Sequence, residues 1–324
     1  MNSQNPIPMP EAIDLLKLFG GFVYLLMGGD LLVRGALGLA RESKIPPMIV
    51  GLTVVAMGTS APELMVSSVS ALSGFPGIAV GNIIGSNIAN VLLVLGVPVL
   101  IHPIICDQTG LAKQTGLMVG VSILFIVLCF LELVTFREGI LLIALLCGFL
   151  YLATRGSDLV PALDSAEEEL ERVLGLPGKN IWIAAFILLG VIALPLGADL
   201  VVEGATGLAA GWGVSEAGIG LSLIALGTSL PELSTTVIAA LHKSSDVAIG
   251  NVVGSNVFNI LAIFGITAML TDIPVDVAFL TFDVWIMLLS SVLLLLFVLF
   301  KATIGKVWGV VLLAAYMGYM LAIY

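Results

Sequence analysis

Hydrophobic positions along this chain of 324 residues do not alternate; they run in long stretches separated by short polar breaks. Ten stretches can be drawn, at approximately 12–40, 46–73, 77–101, 112–133, 136–154, 180–209, 214–241, 246–270, 281–300 and 304–323. A membrane-crossing helix needs about 20 apolar residues, so all ten suffice, the fifth narrowly. Period-two alternation would mark membrane β-strands. Unbroken runs mark helices, which satisfy every backbone group within their own segment. The pattern predicts an all-α integral membrane protein with ten transmembrane helices. The second, third, seventh and eighth runs stand apart because they are rich in Gly, Ser, Thr, Asn and Pro.

Composition agrees. Charged residues make up 10% of the chain and hydrophobic ones 59%, with a mean hydropathy of +1.17. Soluble domains carry about 25% charged residues. The net charge of −10 argues against a nucleic-acid partner. Cys106, Cys129 and Cys147 lack metal-type spacing and read as small buried apolar residues. The opening MNSQNPIPMP has no basic stretch before an apolar core, so no cleaved signal peptide is expected.

Loop charges orient the chain. If the N-terminus is outside, the inward loops hold Arg41, Lys44, Lys113, Arg155, Arg172, Lys179, Lys243, Lys301 and Lys306, and the outward side only Lys17 and Arg137. Cytoplasmic loops carry the excess of Lys and Arg. Both termini are therefore expected outside, with the segment between the halves in the cytoplasm of a plasma or bacterial inner membrane.

The chain also repeats itself. Residues 51–96 align with 220–265 at a constant offset of 169, with 20 of 46 positions identical. GLTVVAMGTSAPEL meets GLSLIALGTSLPEL, and GNIIGSNIAN meets GNVVGSNVFN. Upstream, Gly28, Asp30, Gly35 and Gly38 meet Gly197, Asp199, Gly204 and Gly207. Each half holds five spans, an odd number, so the halves are expected to be inverted. The units are residues 1–154 (first repeat), 155–179 (acidic cytoplasmic linker) and 180–324 (second, inverted repeat). Inverted repeats are typical of secondary transporters, with ion sites at the repeat interface near the midplane.

Glu63 and Glu232 fall near the middle of the second and seventh spans. A carboxylate at that depth is costly and usually functional. No basic residue is near either in sequence, and two facing carboxylates invite a proton or a divalent cation. Pro62 and Pro231 precede them and interrupt the bond to the carbonyls of Gly58 and Gly227. Broken helices at membrane depth belong where they line a cavity. Freed carbonyls, carboxylates and the hydroxyls of Thr59, Ser60, Thr228 and Ser229 are hard donors, suited to Ca²⁺ and Na⁺. Asn82, Ser86 and Asn90 share one helix face, as do Asn251, Ser255 and Asn259. That spacing covers about 12 Å, room for several adjacent subsites. For Asn82, Asn87, Asn251 and Asn256, interhelical hydrogen bonding and ligation are equally open.

The paired GTSAPE and GTSLPE, each followed by GNxxGSNxxN, resemble the α-repeats of the sodium/calcium exchangers, and the whole pattern is most similar to the prokaryotic calcium/sodium antiporter branch of the cation/Ca²⁺ antiporter superfamily. The resemblance implies that Glu63 and Glu232 are the central ion ligands. It adds Asn90 and Asn259, the hydroxyls of Thr59, Ser60, Thr228, Ser229, Ser86 and Ser255, and the backbone carbonyls of Ala56 and Ala225. It implies Na⁺/Ca²⁺ exchange by alternating access, with the two ions as substrates, no organic cofactor and no obligatory protein partner. Some members carry Asp at the position of Asn259; Asn leaves two carboxylates rather than three and argues against K⁺ cotransport.

The glycine-bearing first and sixth spans are the expected moving elements. Asp30 and Arg34 are spaced for an i,i+4 pair, whereas their counterparts Asp199 and Glu203 are not. In the linker, Ser165 and Glu168 suggest a capping box. His102 and His242 suggest no role. A Ca²⁺/H⁺ exchanger is the nearest alternative. A channel fits poorly, since pores are usually symmetric assemblies of several subunits. An enzyme fits worse, since no Ser–His or metal-binding His set is present.

Overall fold

The computed structural model describes residues 9–108, 110–155, 175–177, 179–211 and 225–323. The helices are α1 (Met9–Ser43), α2 (Pro47–Thr59), α3 (Ala61–Leu72), α4 (Pro76–Ile101), α5 (Leu111–Cys129), α6 (Phe136–Arg155), α7 (Asn180–Gly211), α8 (Ala225–Thr228), α9 (Leu230–Leu241), α10 (Ser245–Leu270), α11 (Val277–Thr281), α12 (Asp283–Leu299) and α13 (Lys306–Ile323). Among the described residues, seven are long and apolar enough to cross a membrane, and the bent pair α2–α3 makes up to eight. The shorter α9 and α12 are also apolar. Two expected spans therefore do not qualify on length. α12 falls just short, and most of the chain before α9 lies outside the described residues, as do the linker at 156–174 and its capping box.

α4 and α10 form the centre. Buried residues make up 78% and 83% of their apolar stretches, against 50% or less for the other long helices. Elsewhere the surface is apolar: Leu16, Phe19, Leu188, Phe300 and Val307 are exposed. Such a surface suits lipid, because hydrocarbon needs no polar covering.

Pro62 shapes the break between α2 and α3. The helices meet at 45°. Ser60, at φ −82° and ψ 11°, leaves the helical region, and Pro62 stands in the first turn of α3. A proline is tolerated there because its missing N–H would have had no partner. Ser229 (φ −88°, ψ 3°) and Pro231 repeat the arrangement at the start of α9. The central helices also widen into π-turns at Asn90–Val94 and Asn259–Phe264, each beginning on an expected ligand position. π-turns inside α-helices are frequent at functional sites.

The halves interlock. Two short antiparallel ribbons each join one half to the other: β1 (Ile104–Ile105) with β4 (Thr303–Ile304), and β2 (Leu133–Val134) with β3 (Ile273–Pro274). Ser122 and Ser291, which correspond at the repeat offset, face each other at 3.4 Å. α1 and α7 lie side by side in close contact. A Cβ on Gly190 would come 2.8 Å from the Gly28 oxygen, and one on Gly197 would come 2.9 Å from the Gly21 oxygen. Both sites need glycine for the backbones to approach this closely.

Candidate cation site

The helix breaks bring the expected residues to the molecule's centre. Glu63 and Glu232, in the first turns of α3 and α9, are 2% and 1% exposed. Ser60 donates to Glu232 Oε1 across the two halves at 3.0 Å. Thr59, Ser60, Ser86, Asn90, Thr228, Ser229, Ser255 and Asn259 are all buried. Ala56 is buried before the first break, and Ala225 begins α8. The Ala56 carbonyl accepts the Ser60 N–H at 3.0 Å and the Thr59 hydroxyl at 3.3 Å.

Many of these oxygens have no protein donor. Among the described residues, Glu63 Oε2, Glu232 Oε2, Asn90 Oδ1, Asn259 Oδ1, Ser229 Oγ and Ser255 Oγ are buried without a hydrogen-bond partner. Leaving such a group unmet costs about 1–3 kcal/mol, more for a charged one. All six belong to residues on the expected ligand list, and the two carboxylates among them come one from each half. Among the described residues no cluster of three or more His, Cys, Asp and Glu forms. The unpartnered atoms are two carboxylate oxygens and four neutral oxygens, the donor type that suits a hard cation.

The Asn side chains divide into two kinds. Asn82 donates to the Glu63 carbonyl at 3.3 Å and to Ser67 at 2.9 Å. Its counterpart Asn251 donates to the Glu232 carbonyl at 3.4 Å and to Thr236 at 3.1 Å. Their oxygens receive the hydroxyls of Thr228 and Thr59 from the opposite half, at 3.5 and 3.4 Å. Both amides thus clamp the start of a helix that carries one of the two buried glutamates. Asn87 and Asn256 are bonding groups as well: Asn90 donates to Asn256 Oδ1 at 3.1 Å, and Asn259 to Asn87 Oδ1 at 3.3 Å. Ligation and hydrogen bonding were equally open in sequence for these four; their amides are engaged with protein.

One residue set aside in sequence has a role in packing. His242, which follows α9, lies 2.8 Å from Asp30 Oδ1 on α1, and Arg34 holds the other Asp30 oxygen at 2.8 Å. Asp30 therefore ties α1 to the end of α9, the helix that carries Glu232. The opposite end differs: Glu203 of α7 pairs with Lys17 of α1 at 2.9 Å. The Asp30–Arg34 spacing was visible in sequence; the His242 contact spans 212 positions and was not.

A lipid-facing helical shell around a central oxygen cage defines a membrane ion transporter. The description "Sodium/calcium exchanger protein" matches residues 14–155 and 182–324, and the chain belongs to that family. The chain is 37% identical over 302 residues to the CaxA protein of Alkalimonas amylolytica, covering 92% of this chain and 95% of the relative. It is 30% identical to the sodium/calcium exchanger MaX1 of Methanosarcina acetivorans, covering 96% and 99%. A solved structure of the sodium-calcium exchanger NCX_Mj, soaked with 10 mM Na⁺ and zero Ca²⁺, superposes with a TM-score of 0.82 at 28% identity, over 97% of this chain and 100% of that one. The family transports ions and is not one of enzymes.

Proposed function

We propose that the protein is a secondary active antiporter that exchanges Ca²⁺ for Na⁺ at the cage around Glu63 and Glu232. The observation that carries this reading is the set of buried oxygens without partners, drawn from both halves. Two carboxylates balance one Ca²⁺, or accept more than one Na⁺. Both ions draw on Glu63, Glu232, Asn90, Asn259, Thr59, Ser60, Thr228, Ser229, Ser86, Ser255 and the Ala56 and Ala225 carbonyls, so one displaces the other. Competition at a single site, opened to each side in turn, couples the two fluxes.

Ten spans in two inverted halves support the alternation. With both termini outside and the linker cytoplasmic, the loops holding β1 and β4 lie on one side and those holding β2 and β3 on the other. Among the described residues, these are the two pairings that form. At the offset of 169, β1 maps onto β3 and β2 onto β4 within one residue, and a serine meets its own counterpart at Ser122 and Ser291. Both relations suit a two-fold axis between inverted halves.

The test is ⁴⁵Ca²⁺ uptake into proteoliposomes loaded with Na⁺, compared with choline-loaded vesicles at matched pH and with a pH gradient alone. Uptake that follows only the outward Na⁺ gradient is expected. Uptake that follows the pH gradient and ignores Na⁺ would replace Na⁺ with H⁺ as counter-ion at the same carboxylates.

A further inference from the structure

The amide oxygens of Asn90 and Asn259 are buried without a partner, and something must fix which way each amide points. The oxygen and nitrogen of an Asn differ little in size, and a hydrogen-bond network must decide between them. An amide turned the wrong way would present N–H groups to a cation. In the first relay, Asn90 Nδ2 donates to Asn256 Oδ1 at 3.1 Å, and Asn256 Nδ2 donates to Met118 Sδ at 3.6 Å. In the second, Asn259 Nδ2 donates to Asn87 Oδ1 at 3.3 Å, and Asn87 Nδ2 donates to Met287 Sδ at 3.7 Å. The relays correspond residue for residue at the repeat offset. All six side chains are buried at 1% exposure or less.

A thioether has no hydrogen to give and can only accept. A relay that ends on one runs in a single direction. The sulfur takes the N–H of the middle amide, whose oxygen must then face the outer Asn and take its N–H. The remaining oxygen of Asn90 or Asn259 is turned away from the relay, and both are without a partner. We infer that Met118 and Met287 are positioning residues, which set the polarity of the two amide relays and so present the Asn90 and Asn259 oxygens to the transported cation. The inference rests on the proposed function, because it takes the cage as the ion site.

Met→Leu conserves volume and is usually tolerated in a core, while removing the acceptor. Asn90→Ser gives the first relay an outer hydroxyl, which both donates and accepts and rotates to suit, so the relay has no polarity left to set. Ca²⁺ binding is measured by titration calorimetry on the purified full chain, for wild type, Met118→Leu, Asn90→Ser and the double variant. The corresponding set with Met287→Leu and Asn259→Ser gives an independent second arm. The expected result is about fivefold weaker Ca²⁺ binding on Met→Leu in the Asn protein, the worth of about one neutral hydrogen bond, and a change under about twofold in the Ser background. Unchanged affinity in the Asn protein, or equal weakening in both backgrounds, overturns the relay and leaves Met118 and Met287 as packing. A wild-type protein that binds no Ca²⁺ overturns the proposed function beneath it.

Discussion

Gly254 offers a test of how tightly the central helices must meet. It stands on α10, one residue before Ser255, where α10 crosses α2. A Cβ built on it would overlap the Leu52 carbonyl oxygen and lie 2.6 Å from the Ala56 Cβ. Carbon atoms in contact rest at about 3.5–4.0 Å, so the two helices must part by roughly 1 Å in Gly254→Ala. The obstacle is mainly backbone within the π-turn Gly51–Val55, which cannot swing aside as a side-chain tip could. Overpacking of this kind costs typically about 1–3 kcal/mol. The separation also carries Ser255 and Asn259 away from Ala56 and Thr59. Ca²⁺–oxygen distances span only about 2.3–2.6 Å, so a shift of roughly 1 Å removes at least one ligand. Gly254→Ala should therefore lower the thermal unfolding midpoint in detergent and raise half-saturating Ca²⁺ in initial-rate ⁴⁵Ca²⁺ uptake by at least about tenfold, the equivalent of about 1.4 kcal/mol. Gly148→Ala is the control, since a Cβ there meets nothing within 4 Å. A Gly254→Ala protein with wild-type midpoint and wild-type half-saturation would refute the close-packing argument.

Three other outcomes are expected. Glu63→Gln and Glu232→Gln each remove one charge from a fully buried cage; by the usual loss of about 3–5 kcal/mol for one member of a buried charge pair, Ca²⁺ binding should weaken by at least about a hundredfold with membrane insertion intact, and near-normal transport in both variants would sink the site. Asp30→Asn weakens the ties to Arg34 and His242, partly exposed contacts worth at most about 1 kcal/mol each; amide exchange at the end of α9 should quicken several-fold while Ca²⁺ affinity holds, and unaltered exchange there would mean that the clasp holds nothing. Burial, helped by the charge of Asp107, pushes the Cys106 thiol up to about 12. The thiolate that reacts with maleimide is therefore scarce at pH 7 and rises about tenfold per pH unit below that value; rapid labelling of native Cys106 at pH 7 would contradict its burial.

The paired carboxylates, the helix-breaking prolines and the polar stripe were legible because each violates what a lipid-facing helix tolerates, and because the violation occurs twice at one spacing. Span lengths were less legible: hydropathy sees one run at 46–73, whereas the backbone turns by 45° at Ser60. The break falls ahead of Pro62 because proline fits the first turn of the next helix, a choice that depends on what the freed groups can bind. Met118 and Met287 show the deeper reason for the remaining gaps. By hydropathy each is apolar filler, and its sulfur acquires meaning only beside an amide from another helix. The signal was nevertheless present, because the offset of 169 continues past the aligned block through Met118 with Met287 and Ser122 with Ser291. A duplicated apolar residue proves little, since packing alone can preserve it. Its chemistry becomes specific when both copies end a relay that starts at an Asn with an unpartnered oxygen. The two relays each cross between halves: Asn90 is held through Asn256, and Asn259 through Asn87. With Asn90 and Asn259 as the ligands proposed above, a rearrangement of one half also disturbs the oxygen that the other half presents, which would link helix movement to release of the ion.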